Sequence, residues 1–223
     1  MTLQEYFGDW LKFMDEGQLE NYRKMIIKSV SNGILVEPSP TKVFRCFRET
    51  DPNNLKAVIL GQDPYSDGSA TGIAFANNHL ETGIKRISPS LSVLMSSVIS
   101  LSDNPKNAIF DTTLESWAEQ GILLLNSALT VKKGFPGSHL AAWRPFIERL
   151  LTSISAETNV CFILLGKEAW SFKDCIFDNN RGVFLDYHPS YYARNNVQMP
   201  HTVWKNMLEY VQENFGVTLQ LYE

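Results

Sequence analysis

The sequence predicts a three-layer α/β/α fold built around a parallel β-sheet. Two observations carry this prediction: four short apolar runs recur along the chain, and long segments with helical periodicity separate them. The runs cover residues 57–60, 122–125, 160–165 and 183–185. Short apolar runs of this kind, flanked by helices, are typical of parallel strands that are buried on both faces.

The helical elements follow from the spacing of apolar residues. In the first third of the chain, an amphipathic helix is predicted by the three-to-four spacing of Leu19, Tyr22, Met25, Ile26 and Val30. The pair Asn32-Gly33 should end this helix, and Pro38 and Pro40 mark a loop. Further helices are predicted over residues 90–101, 113–120, 142–154 and 203–215.

Length and composition predict one globular domain over residues 1–223, with residues 1–35 as a helical N-terminal segment packed on it. The chain has 223 residues, of which 44% are hydrophobic and 20% charged, and it contains no internal repeat and no long linker. Three cysteines without a CxxC pair argue against a disulfide framework and a zinc site and favour a reducing compartment. No signal peptide and no membrane span is expected, which suggests a soluble protein of the cytoplasm, or of the nucleus in a eukaryotic or viral setting.

Polar residues follow each predicted strand, at the edge where open α/β sheets bind ligands. The motif Gly61-Gln62-Asp63-Pro64-Tyr65 follows the first run, Asn126 the second, Gly166-Lys167 the third, and Asp186-Tyr187-His188-Pro189-Ser190 the fourth. A carboxylate, a carboxamide, an imidazole and a hydroxyl at one edge suit a polar planar ligand on which charge develops. Taken singly, each residue has a structural alternative. Asp63 could simply be a turn-forming residue, Asn126 and His188 could have structural roles, and Phe75 could belong to the hydrophobic core.

Five ordered motifs resemble those of the family-1 uracil-DNA glycosylases. They are Gly61 to Tyr65, Gly72-Ile73-Ala74-Phe75, Ile87-Ser88-Pro89-Ser90-Leu91, Trp117 to Asn126 continuing through Leu129-Thr130-Val131, and His188-Pro189-Ser190. The resemblance covers about residues 40 to 215. It implies a central four-stranded parallel sheet between helices, in agreement with the periodicity.

The resemblance implies an enzyme that flips uracil out of DNA and hydrolyses the bond between base and sugar, without a metal, a cofactor or lyase activity. Asp63 would orient the attacking water and stabilise positive charge on the sugar. His188, in its neutral form, would donate to O2 of the departing base, assisted by the main-chain N–H of Gln62. Phe75 would stack on uracil and Asn126 would read its N3–H and O4. Tyr65 would exclude the methyl group of thymine.

The resemblance also assigns residues to the DNA backbone. Ser88, Ser90 and Ser190 would donate to phosphates near the lesion, while Gly166 and Lys167 occupy the position of a Gly-Ser pair in the family. A basic rim is expected from Lys85, Arg86, Lys132, Lys133, Lys167 and Arg194. Because the formal net charge is −4, the acidic residues are expected to lie away from this rim.

The chain departs from the family pattern at several positions. Ser66 follows Tyr65 where most members have histidine, and Lys167 replaces a serine. Tyr191 and Tyr192 stand where proline and leucine are common, so Tyr192 occupies the position of the wedge that fills the vacated base stack. We therefore expect Tyr192→Ala to lower activity on duplex DNA more than activity on single strands.

The expected partner is uracil-containing single- or double-stranded DNA. We expect a monomer, and a DNA-mimicking inhibitor protein is a further candidate partner. Two alternatives remain open: a DNA-binding protein of this fold that has lost turnover, and an unrelated nucleotide-binding α/β module. The second alternative lacks support because the sequence contains neither G-x-G-x-x-G nor a Walker loop.

Overall fold

A four-stranded parallel sheet forms the centre of the molecule, as predicted. The computed structural model describes residues 2–77, 87–177 and 182–223. The strands of this sheet are β2 (Ala57–Gly61), β3 (Ile122–Asn126), β5 (Cys161–Leu165) and β6 (Val183–Asp186). Their order is β3-β2-β5-β6, and all neighbouring pairs are parallel. In register, Gly61 lies opposite Asn126, so the polar groups that follow β2 and β3 start at the same level.

Helices cover both faces of the sheet, which confirms the three layers. Alternate strand side chains point to opposite faces. Val58, Leu60 and Leu123 join one apolar cluster with residues of the N-terminal helices and of α6 (Leu140–Glu157). Ile59 and Leu124 join a second cluster on the other face, with residues of α4 (Pro89–Ile99), α5 (Glu115–Glu119) and α9 (Thr202–Phe215). β2 and β5 are apolar along their length because both of their faces are buried, whereas β6, at one edge of the sheet, is partly exposed.

The N-terminal segment packs on the first of these clusters. It contains α1 (Leu3–Phe7) and α2 (Glu16–Ser31); α3 (Arg45–Glu49) follows after a loop and packs on the same cluster. Asp15 caps α2 by accepting a hydrogen bond from the Gln18 N–H at 2.7 Å, and the helix ends at Asn32-Gly33 as predicted. The predicted apolar stripe is correct at Leu19, Tyr22 and Ile26, which are buried, but wrong at Val30, which is exposed because the last turn of α2 extends beyond the core.

Several short elements lie outside the prediction. Strands β1 (Val36–Glu37) and β4 (Val131–Lys132) form an antiparallel pair separate from the main sheet. Each has two residues, too few for a period-two pattern to be recognised. Helices α7 (Lys167–Trp170) and α8 (Pro189–Asn195) directly follow the motifs at the ends of β5 and β6. They turn the chain at the edge where the predicted site lies.

None of the helices in the described ranges is long and apolar enough to cross a membrane. All three cysteines are free; Cys46 and Cys161 are buried, and Cys175 is partly exposed.

Candidate active site

A cavity of about 360 Å³ opens at the carboxyl ends of the strands. Its walls come from the segments that follow β2, β3 and β6, together with the start of α4. Nine of the residues singled out from the sequence line it: Gln62, Asp63, Tyr65, Phe75, Ser90, Asn126, His188, Ser190 and Arg194. The sheet thus brings together residues that are more than a hundred positions apart in the chain.

Asp63 is held in place by the loop that follows β4. The N–H of Gly137 donates a hydrogen bond to its Oδ2, and the side-chain amide of Gln62 lies 3.3 Å from its Oδ1. Burial raises the pKa of the Asp63 carboxyl above its ordinary value, while these two hydrogen bonds oppose the rise. A half-buried carboxylate with its orientation fixed is suited to hold a water molecule and to face developing positive charge.

His188 is oriented by its own turn. The N–H of Ser190 lies 3.2 Å from His188 Nδ1, and the Ser190 hydroxyl lies 2.9 Å from the same nitrogen. Since a backbone N–H can only donate, Nδ1 is an acceptor, and the neutral ring carries its proton on Nε2. Burial first, and the positive charge of Arg194 second, lower the pKa of His188 to about 4. A neutral imidazole with a free N–H is therefore available near neutral pH.

Phe75 and Asn126 lie close together because residue 61 is glycine. A Cβ at Gly61 would lie 2.8 Å from Asn126 Oδ1 and 2.8 Å from Phe75 Cζ. Phe75 itself has a φ of +67°, a left-handed conformation that is uncommon for an aromatic residue. Its ring centroid lies 5.6 Å from that of His188, with the planes tilted by 34°. The ring, the amide and the imidazole therefore border one compact space.

Tyr65 is locked to the wall of the cavity. Its hydroxyl donates to the Phe75 carbonyl at 2.9 Å and lies 2.6 Å from Ser88 Oγ, and burial raises its pKa to about 12. Ser88 Oγ also accepts from the Leu91 N–H at 3.0 Å, which caps α4. With the Tyr65 proton directed to Phe75, the Ser88 proton is directed to Tyr65. In this structure the Ser88 hydroxyl therefore supports Tyr65.

Gly166 contributes to the site through His188. Its φ is +95°, and a Cβ there would lie 2.8 Å from His188 Cβ. Its N–H donates to the Asp186 carbonyl at 2.8 Å, which ties the end of β5 to the end of β6. Glycine is needed here because any side chain would displace the imidazole. The neighbouring Lys167 is exposed.

The structure places Tyr192 inward, whereas a wedge has to project from the surface. The Tyr192 ring is only 7% exposed, it belongs to the apolar cluster under α4, and its hydroxyl donates to Asp186 Oδ1. A side chain held in this way does not project as a wedge. Its neighbour Tyr191 is 41% exposed. One turn of α8 places position 191 outward and position 192 inward, which sequence alignment by motif does not show.

Four of the residues predicted for the basic rim are exposed: Lys132, Lys133, Lys167 and Arg194. Lys133 lies 3.7 Å from Glu37, and Lys132 lies over the Phe135 ring at 4.6 Å. The other two, Lys85 and Arg86, lie outside the described residues.

The loop that carries Gly137 was missed by sequence reasoning. Pro136 lines the cavity, and Gly137 has a φ of +79°. The run Gly134-Phe135-Pro136-Gly137 is a recognisable turn signal, but its contact with Asp63 spans 74 positions and has no local signature. Among residues 2–77, 87–177 and 182–223, no group of three or more His, Cys, Asp or Glu could hold a metal ion.

The chain is similar to known proteins over most of its length. The sequence model described as "Uracil DNA glycosylase superfamily" matches residues 47–212. A uracil-DNA glycosylase of Mycoplasmopsis pulmonis is 33% identical over 196 residues, which cover 83% of this chain and 84% of that protein. One from Borrelia duttonii is 31% identical over 221 residues, covering 94% and 95% of the two chains.

Solved structures share the fold. The crystal structure of mimivirus uracil-DNA glycosylase has a TM-score of 0.76 at 18% identity and covers 99% of this chain and 93% of that one. A mimivirus variant in complex with UGI has a TM-score of 0.75 at 17% identity, covering 98% and 92%.

Proposed function

Because the chain belongs to the uracil-DNA glycosylase superfamily, we propose that it excises uracil from DNA, releasing the free base and leaving an abasic site. The observation that carries the proposal is the meeting of Asp63, Phe75, Asn126 and His188 around one cavity. Each of these residues has a structural alternative when taken alone, but their convergence supplies every group that the reaction requires.

Hydrolysis of the glycosidic bond separates charge, and the cavity has a group for each sign. As the bond breaks, the sugar becomes positive and the base becomes negative. Asp63, fixed by Gly137, orients the attacking water and stabilises the sugar cation. His188 donates its Nε2–H to O2 of the uracil anion, and the main-chain N–H of Gln62 donates to the same oxygen. With its pKa lowered to about 4, the imidazole makes this donation in its neutral form near neutral pH.

Base selection depends on three walls of the cavity. The Phe75 ring stacks on the uracil face, a contact worth ~1–3 kcal/mol. The Asn126 amide accepts from N3–H and donates to O4, whereas cytosine presents the opposite pattern and would leave buried groups unpaired. Tyr65, held by the Phe75 carbonyl and Ser88, leaves no space for the methyl group of thymine.

The DNA backbone is expected to contact the rim. Ser90 and Ser190 line the cavity and Lys167 is exposed, and we propose that all three approach phosphates. Ser88, whose proton is directed to Tyr65 here, would have to turn its hydroxyl to do the same. Gly166 contributes by leaving room for the His188 side chain. Arg194 and Tyr191 complete the proposed DNA surface, behind which Tyr192 is a support. An inhibitor protein that mimics DNA would bind the same rim, and we propose that residues 1–223 act as one monomeric domain.

An alkali-cleavage assay tests the proposal. A labelled oligonucleotide with one deoxyuridine is incubated with the protein and then heated in alkali, which cuts the strand only where the base is missing. We expect cutting by the wild type and a loss of at least about a hundredfold for Asp63→Asn, because the amide cannot balance the sugar cation. Asp103→Asn, an exposed carboxylate outside the cavity lining, is the matched control and should cut at the wild-type rate.

Two results would contradict the proposal. If the wild type binds the oligonucleotide but leaves it uncut, the chain is a DNA-binding protein without turnover. If Asp63→Asn cuts as fast as the wild type, the carboxylate has been given the wrong role.

A further inference from the structure

A row of aromatic rings lies on the surface beside the cavity, at the end of β6. The ring centroids of Trp170 and Tyr187 are 5.2 Å apart, and those of Tyr187 and Tyr191 are 4.5 Å apart with an angle of 23° between the planes. Tyr187 and Tyr191, which we call the tyrosine stack, are 43% and 41% exposed. Between them in sequence, His188 and Ser190 line the cavity.

The tyrosine stack rests on a rigid base. Trp170 Nε1 donates to the carbonyls of Leu164 and Asp186, each at 3.0 Å, which fixes the indole across the ends of β5 and β6. The buried Tyr192 ring meets Tyr191 edge-on, at 5.4 Å and 85°. The two stacked rings are therefore held from behind and from the side while much of their surface stays open to solvent.

The surroundings of the tyrosine stack indicate what kind of partner fits. The two stacked rings expose apolar surface to water, and a planar ligand would cover that surface. Two exposed cations are close to these rings in sequence. Lys167 begins α7, which also carries Trp170, and Arg194 lies one helical turn after Tyr191 in α8. Flat π surfaces flanked by cations suit a single strand of nucleic acid better than an uncharged protein surface.

We propose that the tyrosine stack binds, face to face, the base that neighbours the target nucleotide in the same strand. This inference rests on the proposed function and assigns a substrate contact that the buried Tyr192 cannot make. When the target nucleotide leaves the base stack, its neighbour loses a stacking partner. Tyr191, directly after the cavity residue Ser190, supplies a ring for that exposed face, and Tyr187 holds the Tyr191 ring in a stacked orientation.

A double-mutant cycle between protein and DNA tests this contact. Single-stranded oligonucleotides carry one deoxyuridine and either all normal bases or a tetrahydrofuran residue, which has no base, on the 5′ or the 3′ side of the target. KM and kcat are measured for the wild type, Tyr191→Ala, Tyr191→Phe and Phe177→Ala. Phe177 is an exposed aromatic residue outside the cavity lining and serves as the matched control. Dissociation constants for the same set are measured with a 2′-fluorinated target that resists hydrolysis.

On the normal oligonucleotide, Tyr191→Ala should weaken binding about tenfold, with most of the change in KM. Tyr191→Phe should restore binding because it keeps the ring, and Phe177→Ala should match the wild type. Removing the base on one side should cost the wild type a similar factor and cost Tyr191→Ala nothing further. Thermal unfolding of each variant shows whether the fold is retained.

The inference is overturned if removal of the neighbouring base costs Tyr191→Ala as much as it costs the wild type on both sides, or if Tyr191→Ala binds as the wild type does. If the wild type excises uracil but the cycle shows no coupling, only the stacking contact is refuted. Coupling in the dissociation constants without any excision would support the contact and refute the proposed function.

Discussion

The ends of β2 and β3 and the end of β6 build different halves of the site. β2 is buried along its whole length between β3 and β5, whereas β6 lies at the edge of the sheet and is partly exposed. Asp63 and Phe75 lie in the segment after β2 and Asn126 is the last residue of β3, while His188 follows β6 at the opposite edge. The groups that select the base are thus fixed in the middle of the fold, and the surface offered to DNA is at its margin.

The two halves are also stabilised differently. Around β2, hydrogen bonds between neighbouring segments hold the site: Ser127 Oγ donates to the Gly61 carbonyl at 2.7 Å, and the Ala74 N–H donates to the Leu124 carbonyl at 3.2 Å. At the end of β6, His188 is held by hydrogen bonds within its own turn, and its side chain fits there because Gly166 has no Cβ. Substitutions around β2 should therefore impair base selection. Substitutions at the end of β6 should affect stability, DNA contact or the protonation of His188, each at a different residue.

The edge offers the largest expected effect on stability. Tyr192→Ala removes a buried ring and its hydrogen bond to Asp186, which should lower the free energy of unfolding by about 3 kcal/mol. Urea denaturation measures the change. Tyr191→Ala, one position away but exposed, is the matched control and should change stability little. Equal changes for the two variants would contradict the inward and outward placement of these tyrosines.

The centre should respond to a single added methyl group. Gly61→Ala places a Cβ 2.8 Å from both Asn126 Oδ1 and Phe75 Cζ, so the amide or the ring must move. A displacement of this kind should lower kcat/KM for uracil excision about a hundredfold. Gly17→Ala, in the exposed part of α2, controls for the substitution itself. Excision by Gly61→Ala at the wild-type rate would show that the close approach of these groups is not required.

The smallest expected effect concerns the protonation of His188. The positive charge of Arg194 helps to lower its pKa, although burial is the larger cause. Removing this charge in Arg194→Gln should raise the His188 pKa slightly, since an exposed charge is screened by water. An NMR titration of the imidazole measures the shift. A pKa that stays constant or falls would show that Arg194 does not act on the ring.

Much of the fold follows from local pattern. The four strands contain continuous apolar runs, fully buried in β2 and β5, with polar residues directly after them, so both the sheet and the ligand-binding edge are predictable from the sequence. Asp63, Asn126 and His188 could be found for the same reason. The contact of Gly137 with Asp63 could not be found, because it depends on how a loop folds back across the cavity. The placement of Tyr191 and Tyr192 also depends on tertiary structure, since both are tyrosines and only the rotation of α8 decides which one is buried.

Base selection by the wild-type protein tests the central claim most directly. Three single-stranded oligonucleotides that differ only in uracil, cytosine or thymine at one position are compared by kcat/KM for base release. If Asn126, Phe75 and Tyr65 form the walls described above, kcat/KM for uracil should exceed that for either other base by at least about a hundredfold. Release of cytosine or thymine within about tenfold of the uracil value would contradict the account, because the cavity would then not discriminate by edge and shape.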